Sequence, residues 1–347
     1  MLSWTSRLGP AMQFGQMRRR EFITLLGGAT AWPLAAGAQQ PAIPVVGLLN
    51  PGSAAGFTAE AEAFRRGLAE IGYAEGRNVA IEYRFGNARF DRLPALAMDL
   101  IDRHPAIIIF AGAGGNPEDA VWRPLRASNI PIVFIGGGGP DPVRSGLVSS
   151  FNRPGGNITG MFPLSILMGK HMELLHELVP DAKAIAVLVS SQYRRLAQVQ
   201  EFEAREPAAT LGMQLLFLPA GSEGEIDAAF AAMNQQRAEA LVVTTSPFFA
   251  TRAKQIASLA GRYRVPAIYT RRAFAEAGGL MSYGYDVADG YRLLGGYAGR
   301  ILKGEKAGDL PVFQPSKFEL VINLKTAKAL GFEIPVKVLA LADAVIR

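Results

Sequence analysis

The residues best equipped for covalent chemistry are few, and their spacing does not assemble them. His104, His171 and His176 are the only histidines. The five-residue step from His171 to His176 turns them to different helix faces, against the i,i+4 spacing of a zinc-binding helix. All three read as surface residues. There is no cysteine, which excludes disulfides, thiolate nucleophiles, zinc fingers and iron–sulfur ligation. No Gly-x-Ser-x-Gly elbow and no Gly-Lys-Ser/Thr phosphate loop occurs. Gly112-Ala113-Gly114-Gly115 follows a strand-like run but lacks the full dinucleotide spacing. Asp141 and Asp286 stand singly, and Asp286 reads as a helix N-cap. The expectation is no catalytic set, no metal and no cofactor.

What the chain does offer is binding chemistry. Small polar residues and glycines follow one strand-like run after another: Asn50-Pro51-Gly52-Ser53, residues 112–116, the four glycines 136–139, Ser190-Ser191-Gln192-Tyr193, Thr244-Thr245-Ser246-Pro247-Phe248 and Thr270-Arg271-Arg272. Glycine lets a ligand approach the backbone, and free N–H groups with hydroxyls hold a carboxylate without a fixed countercharge. The same residue types favour turns and helix caps, so a single residue decides nothing; repetition of the pattern in both halves of the chain favours a cleft. The candidate ligand-binding residues from the first half are Asn50, Ser53, Gly114, Asn116 and Gly137. Those from the second half are Ser190, Tyr193, Ser246, Phe248, Tyr269, Arg271, Tyr283 and Tyr285. The aromatic members, with Phe57, either sandwich an apolar ligand body or pack inside a lobe. Arg271 either pairs with a ligand carboxylate or lies on a solvated helix.

Loops of this kind need parallel strands behind them, because in open α/β sheets ligands bind outside the carboxyl ends of the strands. Short β-branched runs do alternate with amphipathic stretches. Strands are expected at 44–49, 79–85, 107–111, 132–135 and 147–149, with helices at 56–71, 92–103 and 117–127. Proline and glycine then break the rhythm at Asn152-Arg153-Pro154-Gly155-Gly156-Asn157. It restarts with helices at 166–179, 196–210, 223–234 and 250–263 and strands at 184–189, 213–218, 240–245 and 267–269. A tail of strand 280–283, helix 286–302, strand 317–323 and two terminal helices returns to the first lobe and crosses again. The fold class expected is α/β, two doubly wound parallel-sheet lobes joined by a hinge. The expected division is 44–157 plus 284–316 for lobe one, and 158–283 plus 317–347 for lobe two.

The first 38 residues read as an address. Arg18-Arg19-Arg20 runs into an apolar stretch from Phe22 to Ala36, and Ala36-Gly37-Ala38 supplies a small-x-small cleavage pattern. At about 15 residues the stretch falls short of the roughly 20 that span a bilayer. Arg19-Arg20-Glu21-Phe22-Ile23 resembles a twin-arginine export signal, Met17 is the expected initiator, and the mature product is expected outside the cytoplasm, in the periplasm. Of the formal net charge of +6, half sits in this segment, where Arg7, Arg18, Arg19 and Arg20 stand against Glu21. What remains is too dilute for a nucleic-acid footprint. The chain is 347 residues long and 49% hydrophobic, enough for two cores rather than one.

Four stretches carry a family resemblance: residues 19–28; Asn152-Arg153-Pro154-Gly155-Gly156-Asn157-Ile158-Thr159-Gly160; Gly278-Gly279-Leu280-Met281-Ser282-Tyr283-Gly284; and residues 315–327, from Pro315-Ser316-Lys317-Phe318 onward. The chain resembles the substrate-binding proteins of ABC importers that include tryptophan- and tyrosine-type binders, with the type I periplasmic-binding fold. The resemblance implies a small amino acid, aromatic or other carboxylate solute, an inner-membrane permease with its ATPase as partner, and a monomer or weak dimer. It carries over Ser53, Asn116, Ser246 and Tyr283 first. This chain departs from the pattern at Asn116-Pro117, where relatives tend to have Thr before the proline. It departs again at Ser190-Ser191-Gln192-Tyr193, where they tend to be Asn-Pro-rich, and at the long 136–139 run. These departures fall in the expected cleft. The alternatives are a periplasmic ligand-sensing module of the same fold, and behind it a secreted α/β hydrolase, which would need a catalytic set.

Overall fold

Isoleucine and valine runs too short and too uniformly apolar for amphipathic helices form the centres of two sheets. The computed structural model describes residues 43–111, 120–136, 141–163 and 167–347. The signal-like segment, Gly114, Asn116, Gly137 and the start of the helix expected from 117 lie outside these.

The first sheet has the order β2-β1-β3-β4-β5 and is parallel throughout. Its strands are β1 (Val45–Asn50), β2 (Ala80–Phe85), β3 (Ile107–Phe110), β4 (Ile132–Ile135) and β5 (Ile158–Met161). Three helices accompany them: α1 (Thr58–Glu70), α2 (Leu93–Asp102) and α3 (Trp122–Ala127). Period-two alternation divides the core. Ile107 and Ile109 of β3 pack in one cluster with Phe64 and Leu68 of α1. Ile108 and Phe110 pack in another with Leu100 of α2 and Trp122 of α3. Both faces are covered, which is why these strands read as continuous apolar runs rather than alternating ones.

The second sheet has the order β12-β11-β10-β9-β8-β6-β7. It contains β6 (Ala184–Ser190), β7 (Gln214–Ala220), β8 (Ala240–Val243), β9 (Ala267–Tyr269), β10 (Met281–Tyr285), β11 (Phe318–Asn323) and β12 (Ala344–Ile346). All neighbours pair parallel except β10 with β11. The helices are α4 (Leu167–Leu178), α5 (Arg194–Thr210), α6 (Glu223–Gln235), α7 (Pro247–Thr251), α8 (Ala253–Arg262), α9 (Arg272–Glu276), α10 (Val287–Leu302), α11 (Leu324–Leu330) and α12 (Val336–Ala340). Ile185, Val187 and Val189 of β6 face one core cluster, and Ala186 and Leu188 face the other.

Four expectations need correction. Residues 147–149 form no strand; their backbone follows turns in which Leu147 and Val148 N–H both donate to Pro142 O. The fifth strand is β5 instead, hydrogen-bonded to β4, so residues 158–161 belong to the first sheet and not to the second lobe. The helix expected at 250–263 is two helices that meet at Arg252, because Ser246 caps a separate proline-started turn, α7. The tail adds a short strand, β12, which pairs with β11.

The chain passes between the sheets at three places. It leaves β5 for α4, leaves β10 for α10, and returns from Phe313 to β11. At the last of these, Phe313 N–H donates to Gly160 O, and Phe313 O accepts from Phe162 N–H. Asp286 caps α10, its carboxylate accepting from Asp289 N–H at 3.0 Å. α10 then packs on α1 of the first lobe, where Tyr291 and Leu294 share the cluster of Phe64 and Leu68 and Gly67 and Gly295 stand at the close approach.

Candidate functional site

The carboxyl ends of β1, β3 and β4 in the first sheet and of β8, β9 and β10 in the second open on one cavity of about 670 Å³. That lies inside the range of about 300–1,000 Å³ usual for small-molecule sites. The first lobe contributes the loop after β1 with Asn50 and Ser53, Glu60 on α1, and Ile135 and Gly136 at the end of β4. The second contributes Thr244, Thr245 and Ser246 after β8, Thr270 and Arg271 after β9, and one face each of α4 and α5. Tyr285 and Asp286, where the chain crosses from β10 to α10, line it as well.

Local geometry explains why the loops are built from these residues. Asn50 Oδ1 accepts Gly52 N–H at 2.6 Å and folds the loop back on itself. Ser246 Oγ accepts Phe248 N–H at 3.2 Å and starts α7. Thr244 Oγ1 donates to Leu188 O at 2.8 Å, locking the end of β8 to β6.

Of the candidate residues, Asn50, Ser53, Ser246, Arg271 and Tyr285 line the cavity. Gly114, Asn116 and Gly137 lie outside the described residues. Five others are placed elsewhere. Phe248 and Tyr269 are buried in the core of the second lobe, the Tyr269 ring stacked on Phe274 with centroids 4.9 Å apart. Tyr283 stacks on Phe318 across the antiparallel β10–β11 pair. Ser190 is buried, with no partner for its hydroxyl among the described residues. Tyr193 meets Phe90 of the first lobe edge-on, with centroids 4.0 Å apart. The physical reason is shared: β6 runs straight into a turn and α5, so its end meets the other lobe rather than the cavity, and aromatic rings bury more surface against the core than against a cavity wall.

Arg271 is not a free cation. Its Nη2 lies 2.9 Å from Glu60 Oε1, a pair that joins the end of β9 to α1. Arg272 is held by Glu276 and Glu319. Among the described lining residues, five carboxylates (Glu60, Glu203, Glu276, Asp286 and Glu319) face two guanidiniums. The Asp286 carboxyl is pushed up by burial, but Asp289 N–H and the Lys317 ammonium outweigh this and hold it below the usual range. Burial raises the Tyr285 phenol.

Among the lining residues missed in the sequence are two buried polar side chains, His171 and Gln200. His171, read as a surface residue, is buried on α4, and its Nε2 lies 2.7 Å from Tyr283 O. A carbonyl can only accept, so Nε2 carries the proton. Burial lowers the ring's pKa to about 4, the hydrogen bond pulling weakly the other way, and the imidazole is neutral. Gln200, on α5, is 4% exposed. Its Nε2 donates to Thr245 O at 2.9 Å, and its Oε1 has no hydrogen-bond partner among the described residues. A buried acceptor left this way costs about 1–3 kcal/mol. The available signal was the helical spacing of Leu196, Gln200 and Glu203, which puts a glutamine and a glutamate on one helix face with a leucine, along the cavity.

The matched comparisons agree with this architecture. A family model described as ABC transporter substrate binding protein matches residues 46–346. A tyrosine-binding protein of Clostridioides difficile is 25% identical over 275 residues, covering 78% of this chain and 76% of that one. A crystal structure from a pneumococcal streptococcus, described as an ABC domain in complex with L-Trp, is similar at 26% identity and a TM-score of 0.77. It covers 87% of this chain and 99% of that one. A conserved domain protein of Vibrio cholerae superposes at the same TM-score, 25% identical, over 87% and 99% of the two chains. With two α/β lobes, strand ends converging on one cavity and a family match across nearly all of the described chain, this protein belongs to the ABC transporter substrate-binding protein family.

Proposed function

We propose that the protein captures an amino-acid-sized aromatic solute, or another small carboxylate of similar shape, in the cavity between its lobes and delivers it to an ABC permease without transforming it. The single observation that carries this reading is the 670 Å³ cavity bounded by the strand ends of both sheets. Relatives described as binding tyrosine or in complex with L-Trp support the aromatic amino-acid class. The lining mixes apolar faces such as Phe57, Ile135, Leu167 and Leu196 with hydroxyls and loop backbone, as a ligand with an apolar body and a polar head needs.

Capture proceeds by hinge closure. The open protein binds solute to one lobe, and the other lobe then adds contacts that exist only when closed; this differential affinity shifts the population. A micromolar dissociation constant would correspond to about −8 kcal/mol. The signal-like N-terminus supports delivery from the periplasm. No described helix is long and apolar enough to cross a membrane.

Thermal denaturation of the purified protein with a panel of amino acids, aromatic acids and sugars is the direct test. A rise in melting temperature with L-tyrosine or L-tryptophan, saturable by calorimetry, is the expected result. A response confined to sugars, or turnover of any panel compound, would refute the reading.

A further inference from the structure

The cavity loop after β1 is held by a turn of the first lobe that also touches the second. Asn50, Pro51, Gly52 and Ser53 line the cavity. The carbonyls of the first three all accept from the turn after β2. Gly86 N–H donates to Asn50 O at 2.8 Å, Asn87 N–H to Gly52 O at 2.9 Å, and Ala88 N–H to Pro51 O at 2.8 Å. The two loops are pressed together, since a Cβ at Gly86 would stand 3.1 Å from Pro51 O. Asn87 and Ala88 reach these carbonyls from left-handed backbone, at φ 53° and 60°. Asparagine tolerates that region and alanine visits it at a cost, so two such residues in a row persist only where their surroundings fix them. The surroundings here come from both lobes. Ala88 packs against the second-lobe core cluster that contains Leu188, Phe248 and Tyr269, and the Phe90 ring meets Tyr193 edge-on. Among the described lining residues, none comes from 86–90.

We propose that residues 86–90 couple solute capture to lobe closure, because the turn that fixes the backbone of residues 50–52 also docks on the second lobe through Ala88 and Phe90. Docking of the second lobe holds Asn87 and Ala88 left-handed, and so holds the cavity loop in its binding shape. A solute that orders the cavity loop holds the turn in the same way, and with it the surface that Tyr193 meets. Coupling of this kind is reciprocal: each event strengthens the other by the same factor. Asn87 and Ala88 are thus positioning residues that act on the solute through residues 50–52. Asn87 is exposed, so its part is played by its backbone. The inference rests on the proposed capture by hinge closure and supplies the element by which occupancy of one lobe reaches the other.

The test has two arms, both on the purified full chain. In the first, hydrogen–deuterium exchange without solute reads the amides of Gly86, Asn87 and Ala88. Tyr193→Ala, a substitution in the other lobe, should speed them about five- to tenfold, while Tyr193→Phe, which keeps the ring, should leave them at the wild-type rate. Amides at the centre of β6 should keep their rates in both variants, which separates loss of the contact from general unfolding. Should Tyr193→Ala not fold, Tyr193→Leu is read in the same way. In the second arm, Asn87→Val sets a β-branched residue in a conformation it avoids, whereas Asn87→Gly keeps the left-handed turn. Asn87→Val should weaken binding of L-tyrosine or L-tryptophan about tenfold by calorimetry. It should also widen the separation of labels on α1 and α8 in the solute-free protein. Asn87→Gly should stay within about twofold of wild-type affinity and leave that separation unchanged. Unchanged exchange in Tyr193→Ala overturns the coupling. So does an Asn87→Val protein that loses affinity with its lobe separation unmoved, since the turn then only braces the cavity loop. If the wild-type protein binds neither amino acid, the aromatic reading fails, and the exchange rates and label separation still decide the coupling.

Discussion

The guanidinium of Arg271 and the carboxylate of Glu60 meet at 2.9 Å across the cavity, one at the end of β9 in the second lobe and the other on α1 in the first. The pair ties the lobes together without any covalent link. Its side chains are 30% and 16% exposed, so solvent screens it, and its net worth is about 1 kcal/mol rather than the figure for a buried pair. Glu60→Gln or Arg271→Gln should therefore shift the lobes toward an open arrangement by about fivefold, more at low salt than at high. Small-angle scattering and distance measurements between labels on α1 and α8 read this directly. The double variant should be no more open than either single one, and additive effects would mean the two residues act separately.

The contact between Phe90 and Tyr193 makes a second bridge between the lobes, this time through ring packing. Burial raises the Tyr193 phenol well above its ordinary range, and its hydroxyl has no partner among the described residues. Tyr193→Phe removes an unsatisfied hydroxyl and keeps the ring, so stability should hold or rise by up to about 1 kcal/mol with solute affinity unchanged. Tyr193→Ala should weaken closure. Denaturant midpoints and calorimetry check both, and a large affinity loss in Tyr193→Phe would put the hydroxyl in contact with solute after all.

α10 lies against α1 closely enough that glycine is required on both sides. A Cβ at Gly295 would stand 2.1 Å from Phe64 O, and one at Gly67 1.8 Å from Arg292 O. Gly295→Ala should destabilise the protein by about 1–3 kcal/mol, overpacking overriding the better helix propensity of alanine. Gly296→Ala, next in the chain with open space around its Cβ, should be neutral or stabilising by up to about 1 kcal/mol. Chemical denaturation of the two variants side by side separates close helix approach from helix propensity.

His171 gives the fold a pH dependence of predictable sign. Its folded pKa of about 4 lies below the unfolded value of 6.5, so between those values the unfolded chain binds more protons. The stability this histidine contributes is complete above pH 6.5 and is lost as pH falls through that window toward 4. The loss amounts to roughly 3 kcal/mol at most. His171→Gln, which keeps a donor for Tyr283 O but does not titrate, should flatten the stability profile between pH 4.5 and 6.5. A wild-type slope that survives the substitution would assign the effect to other groups.

Local signals made much of this architecture legible. β-branched runs alternating with helical stretches specify two α/β lobes, because a period of two or of 3.6 is written within a few residues. Glycines, hydroxyls and Asn50 after the strands marked the loops that surround the cavity, and Asp286 was readable as a cap because a cap is a local hydrogen bond.

What the chain by itself determined was therefore the kind of element at each place and the chemistry of its ends. Tertiary structure alone decided which ends face the cavity. β5 joins the first sheet because parallel strands pair through crossovers, so a strand's neighbour is set by distant residues. Arg271 is engaged by Glu60, 211 residues away in the chain, and His171 is buried against a carbonyl 112 residues away. Whether a polar group serves as surface, core or binding wall depends on partners that no local pattern names.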